Sequence, residues 1–202
     1  PEYWRTNVEG LRNVLDLSVD VGVRHFVFSS SVAACELPPP GAALTEDSPP
    51  DGRHIYARTK GAGERMLAEY ADRLSPVIVR FAALFSDWCE YPPLYMFLQT
   101  WLSWAWNARL LGGRGRSAIP YLHPCEVLIA SPDGCTSHEE LFGAATLAYR
   151  GARTTPIHVP KLLCGPGMAV RDLLGRLTGN RPLERPWMAQ YIDTEMRVGA
   201  SR

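Results

Sequence analysis

Tyr56 and Lys60, in the run Tyr56-Ala57-Arg58-Thr59-Lys60, stand one helical turn apart, with the triplet Ser29-Ser30-Ser31 upstream. Residues four apart share a helix face, so this spacing sets a phenol beside an ammonium. A free tyrosine titrates at about 10, and bringing a phenol into use near neutrality takes roughly 4 kcal/mol of charge stabilisation. A nearby ammonium and a positively charged oxidised nicotinamide together supply that kind of stabilisation. A serine hydroxyl at a strand end can orient the oxygen that exchanges the proton. The chemistry is hydride transfer with proton exchange at a hydroxyl or carbonyl carbon, and it needs a cofactor to carry the hydride.

The elements that hold these residues can be read from periodicity. Residues 4–21 carry Val8, Leu11, Leu15, Ser18 and Val19 on one helical stripe, with Gly22 as a C-terminal cap. Arg24 to Phe28 is a short apolar run entering the serine triplet, as a buried parallel strand would. A Pro-rich loop follows, from Pro38 to Pro50. Residues 56–74 read as a helix on Gly63, Met66, Leu67, Tyr70 and Leu74, and Pro76 to Phe81 as a second buried strand. Helix, strand, helix, strand implies a parallel sheet with crossovers.

Beyond Phe85 the pattern changes. Leu94 to Leu111 is apolar and carries Trp101, Trp104 and Trp106, but Gln99, Thr100, Ser103, Asn107 and Arg109 interrupt it. It is shorter and more polar than a membrane span of about 20 residues and is read as a helix lining a core or pocket. Gly112-Gly113-Arg114-Gly115-Arg116 reads as a polar turn. Short strands are expected around 119–123 and 126–130. A helix from Thr136 to Arg150 should start on Ser137 with Glu140 in a capping box, and another should run from Met168 to Leu177.

The 202 residues carry 21 basic and 21 acidic side chains, so charge gives no argument for nucleic acid or a membrane surface. Five cysteines without a C-x-x-C pair suggest neither zinc nor a disulfide framework, and a reducing, cytoplasmic setting is expected. His123 and His138 lack partners at ligand spacing, so no metal is expected. His54 could be a second proton carrier, although a loop histidine beside a site is more often incidental.

The chain resembles the extended short-chain dehydrogenase/reductase family, in its NAD-dependent epimerase/dehydratase branch. The resemblance rests on the runs 7–15, His25 to Ser31, Tyr56 to Lys60 and Val77 to Phe81. It implies an α/β fold: a partial Rossmann-like, doubly wound parallel sheet over residues 1–86, and a small C-terminal α/β substrate lobe over 87–202. It implies NAD or NADP as cofactor and a small-molecule substrate. Ser31, Tyr56 and Lys60 would be catalytic; Asn7, Ser29, Tyr56, Lys60 and Ala82 would bind the cofactor. A homodimer through helices 4–21 and 56–74 is also implied.

Five departures from the family pattern stand out. No G-x-x-G-x-x-G turn for the cofactor pyrophosphate occurs in these residues, so the chain is read as N-terminally incomplete. Between Ile119-Pro120-Tyr121-Leu122-His123 and Glu126 only two residues stand where relatives carry a helix, an apparent internal deletion near 123–126. Ala83 and Ile119 replace an asparagine and a diphosphate-gripping arginine usual in sugar-nucleotide members. Cys35-Glu36 replaces Tyr-Gly. Arg114 or Arg116 is the remaining candidate for gripping an anion. The expected function is therefore an NAD(P)-dependent oxidoreductase, epimerase or dehydratase, the alternative being an inactive remnant or interaction subunit of that family. A hydrolase using Ser31 lacks the G-x-S-x-G elbow.

Overall fold

The computed structural model describes residues 2–86, 89, 91–122, 135–179, 182 and 185–199. These fall into two units, one drawn from Pro1–Leu84, Tyr121–Gly134 and Arg197–Arg202, the other from Phe85–Pro120 and Cys135–Met196. The strand expected at 126–130, the apparent deletion near 123–126, and His123 lie outside the described residues.

The first unit begins with a continuous helical run: α1 (Glu2–Trp4), a π-helical turn (Arg5–Glu9) and α2 (Gly10–Asp20). Gly22 takes the left-handed φ of 75° just past its end, which glycine adopts without steric cost. Strand β1 (His25–Ser31) pairs in parallel with β2 (Ser75–Phe81), Ser29 facing Val79, Ser30 facing Arg80 and Ser31 facing Phe81. A parallel pair needs a long connection, and helix α3 (Ile55–Glu69) lies within it. Val8, Leu15, Phe28, Met66, Leu67, Tyr70 and Leu74 form the core between these elements; each large apolar side chain buried there contributes about 1.5–3 kcal/mol.

Helix α3 sits unusually close to β1. A Cβ on Gly63 would come 2.7 Å from the Phe28 ring, so the missing side chain is what permits the approach. The helix stops at Glu69, short of the expected Leu74. Residues 70–74 form a turn in which the Tyr70 carbonyl accepts from Arg73 and Leu74, and Leu74 is still buried. Another expectation changes at the sheet. β1 buries Phe28 and Ser30 but exposes Val27 on its other side, where β2 exposes the paired Val77. A fully buried strand was expected; among the described residues one face of the pair is covered. Short strands β3 (Ala83–Leu84) and β6 (Tyr121–Leu122) also pair in parallel in this unit.

The second unit contains α4 (Pro92–Trp101), β4 (Leu110–Gly112), β5 (Ala118–Ile119), β7 (Thr136–Ser137), α5 (His138–Arg150), β8 (Ile157–Val159) and α6 (Lys161–Thr178). Its core sets the stacked rings of Phe97 and Trp101, 5.1 Å apart, against Phe142. The apolar stretch after Tyr91 is helical only to Trp101. Trp104 and Trp106, read as core or pocket wall, are 96% and 88% exposed. Helix α5 starts on the expected capping box of Ser137 and Glu140. Helix α6 starts seven residues before the expected Met168 and contains Pro166. The glycine-rich segment after β4 is the expected turn; the Arg114 and Arg116 amides donate to Asp193 Oδ1 at 2.7 and 3.2 Å. No described helix is long and apolar enough to cross a membrane.

His138, first residue of α5, packs edge-on to Phe97 at 4.7 Å, and burial pushes it down to about 4. The unfolded imidazole takes up its proton near 6.5 and the folded one resists until about 4, so stability falls as pH drops through that window. The loss by about pH 4 is on the order of 3 kcal/mol. Urea unfolding at neutral and acid pH should show this drop, and His138→Phe should flatten it.

Candidate functional site

The serine strand and the tyrosine helix meet through Lys60. Its Nζ donates to the Ser29 carbonyl at 2.8 Å and lies 5.3 Å from the Phe28 ring centroid and 5.8 Å from that of Tyr56. Burial among these groups holds the ammonium below its ordinary pKa of 10.5. Only the Ser29 carbonyl accepts from it among the described residues, which leaves ammonium donors for a ligand.

Ser31 closes β1 and caps a 3₁₀ turn (Val32–Ala34). Its Oγ accepts from the Ala33 amide at 3.2 Å and donates to the Phe81 carbonyl at 3.5 Å. The second contact is long enough for the hydroxyl proton to turn to a better acceptor. Tyr56 lies in the first turn of α3, half-buried, with its ring edge-on to Tyr3 at 6.4 Å and parallel to His54 at 6.3 Å. No hydrogen bond joins Ser31 to Tyr56 among the described residues; such contacts often tighten only when substrate is bound.

His54 has a structural task as well. It is the N-cap of α3, its Nδ1 accepting from the Ala57 amide at 3.3 Å. In that arrangement the ring proton sits on Nε2. Burial lowers its pKa, and the Glu36 carboxylate opposes the shift.

Asn7 lies in the π-helical turn, and its Nδ2 donates to Thr59 Oγ1 at 3.1 Å; that hydroxyl donates in turn to the Tyr56 carbonyl at 2.8 Å. Asn7 thus braces the first turn of α3. Ala82 is buried immediately after β2. The structure therefore links Ser29 and Tyr56 through Lys60, with Ser31 on the same strand end and Asn7 hydrogen-bonded to Thr59 of the helix. Arg114 and Arg116 belong to the other unit. Among the described residues no group of three or more potential ligands could hold a metal.

Sequence reading overlooked the polar network beneath the site. Ser30 Oγ donates to Glu64 Oε1 at 2.5 Å, and Arg80 grips both carboxylate oxygens from Nε at 3.0 Å and Nη2 at 2.7 Å. The available signal was spacing, since Tyr56, Lys60 and Glu64 are successive positions four apart on one helix face.

Residues 1–104 match the NAD dependent epimerase/dehydratase family. The chain belongs to that family. An uncharacterized protein of Sinorhizobium fredii (strain NBRC 101917 / NGR234), y4nG, is 27% identical over 146 residues, covering 71% of this chain and 35% of that protein. The fold is similar to that of gox2253, with TM-score 0.69 at 19% identity over 98% of this chain and 64% of that one. It is also similar to MoeE5 in complex with UDP-glucuronic acid and NAD, with TM-score 0.61 at 22% identity over 79% and 59%. A UDP-glucose 4-epimerase of Thermotoga maritima, solved with UDP-glucose, gives TM-score 0.62 at 19% identity over 77% and 57%. The chain thus spans about a third of y4nG and less than two thirds of each of these structures.

The desolvation of Lys60 has a direct readout. NMR titration of the lysine side chains should place Lys60 below 10.5, and an unshifted resonance would contradict its burial beside Phe28 and Tyr56.

Proposed function

We propose that these residues form the proton-transfer part of an NAD(P)-dependent oxidoreductase, epimerase or dehydratase acting on a sugar or another hydroxyl or carbonyl substrate. The observation that carries this reading is the Lys60 ammonium, held on the Ser29 carbonyl beside the Tyr56 ring. Ser31 would hydrogen-bond the substrate oxygen, turning its proton away from the long contact to Phe81. Tyr56 would give or take the proton at that oxygen. Lys60 and the N-terminus of α3 both present positive potential to negative charge on the phenol oxygen during transfer.

The spare donors of Lys60 fit the ribose hydroxyls of a nicotinamide nucleotide, and Ser29, Ala82 and Asn7 would be its further contacts. When bound, NAD or NADP supplies the hydride chemistry. These 202 residues contain no G-x-x-G-x-x-G turn for its pyrophosphate. The other reading, an interaction subunit without catalysis, is favoured by the apolar side chains exposed on the sheet, Val27, Val77 and Ile78.

Two measurements separate these readings. Titrated by calorimetry, the 202 residues alone should bind NAD+ or NADP+ far more weakly than a complete family member does; micromolar affinity would mean that another part of this chain holds the pyrophosphate. In a chain coupling these residues to a nucleotide-binding half, Tyr56→Phe should lower the rate of NADH-linked carbonyl reduction by about 100-fold or more. A rate left intact would remove Tyr56 from the chemistry.

A further inference from the structure

We propose that Arg80 is the positioning residue of this site, latching residues 45–48 onto the tyrosine helix and making the segment between Ser31 and Tyr56 a fixed wall. The inference rests on the Ser–Tyr–Lys reading for its catalytic meaning, and on geometry alone for the latch.

Arg80 uses its guanidinium in two directions. Nε and Nη2 hold the Glu64 carboxylate as a fork, while Nη1 reaches three main-chain carbonyls, of Ser48 at 2.8 Å, Glu46 at 3.2 Å and Thr45 at 3.5 Å. A planar five-donor group can do this; an ammonium cannot do both at once. The three carbonyls lie outside the paired strands; that of Thr45 also accepts from the Ser48 amide at 3.1 Å and that of Ser48 from the Cys35 thiol, and Arg80 adds a charged donor to all three. Glu64 is the other fixed point. Its side chain is 4% exposed, so its charge is tolerable there only while it is paired.

The latch is tied to the site at both ends. Ser30 donates to Glu64, and Ser30 stands between Ser29, whose carbonyl holds Lys60, and Ser31. Glu64 lies one turn beyond Lys60 and two beyond Tyr56. One carboxylate therefore sets the separation between strand end and helix on which Ser31, Tyr56 and Lys60 depend. The wall is close-fitting elsewhere too. Arg65 donates to the Pro50 carbonyl at 3.2 Å, and a Cβ on Gly61 would come 2.5 Å from that same oxygen. Within the segment Cys35 is buried, with its sulfur 3.7 Å from the Ser48 carbonyl oxygen.

Cys35 makes the latch measurable without turnover. Cys164, buried in the other unit, serves as the internal control. The test compares iodoacetamide labelling of the two thiols, resolved by peptide mass spectrometry, in the 202-residue chain. The variants are Arg80→Lys, which keeps a cation beside Glu64 but loses the fork, and the double change Arg80→Met with Glu64→Met, which removes both charges together. The expected result is Cys35 labelling roughly tenfold faster or more in the folded variants, through local opening, with Cys164 unchanged. If the double variant does not fold, Arg80→Lys decides the matter. Cys35 labelling at the wild-type rate would overturn the proposal. So would Cys35 and Cys164 rising together, which would make Arg80 a general stabiliser. Failure of the Tyr56→Phe test leaves the labelling result standing, so the two readings fail separately.

Discussion

The first unit is organised around one buried negative charge. Glu64 sits inside α3, where a carboxylate without partners would be strongly disfavoured, and its partners come from every direction that matters. Ser30 approaches from β1 and Arg80 from β2, and Arg80 carries the loop carbonyls of 45–48 with it. The apolar core of Leu15, Phe28, Met66 and Leu67 supplies most of the stabilisation, but apolar contacts tolerate small slides. A bidentate ion pair with fixed donor directions tolerates far less. The precision of the site is therefore electrostatic, resting on a hydrophobic foundation.

Much of this unit was legible in the residues. The run into Ser29-Ser30-Ser31 and the Val77 to Phe81 run read as parallel strands because both are short, apolar and bounded by turn residues. The helix of Tyr56 and Lys60 read from its packing stripe. That same stripe overstated the helix: Leu74 is buried at helical spacing although the chain has already turned at Tyr70, whose hydroxyl donates to Asp16 at 2.6 Å. Burial periodicity reports which side chains face the core, and a tight turn can satisfy it as well as a helix can. The strands' exposed face was not legible either, because Val27 and Val77 are apolar whether or not something covers them.

In the second unit the local signals worked and the compositional ones did not. Ser137 and Glu140 announced a helix start because a capping box is a specific pair of hydrogen bonds. Trp101, Trp104 and Trp106 suggested a lining, yet of these three only Trp101 is buried, and Trp104 has the Arg150 guanidinium over its ring at 5.4 Å. Helix α6 begins ahead of the expected Met168 and runs through Gly165, Pro166 and Gly167, residue types that disfavour a helix interior. Pro166 falls six residues into the helix, where it removes one main-chain bond without ending the element. Two of the family departures have a place in the fold: Cys35 is buried within the loop between Ser31 and Tyr56, and Ile119 lies in β5.

The close contact between Gly63 and Phe28 reaches beyond packing. A lysine chain has a fixed maximum reach, so whether its ammonium touches the strand depends on how deeply the helix beds into the sheet. Position 63 works as a depth gauge. With no side chain there, the helix settles until Phe28 stops it, and at that depth Lys60 spans to the Ser29 carbonyl. The geometry of the proton-transfer residues is thus governed partly by a residue with no chemistry, acting through the absence of a single carbon atom.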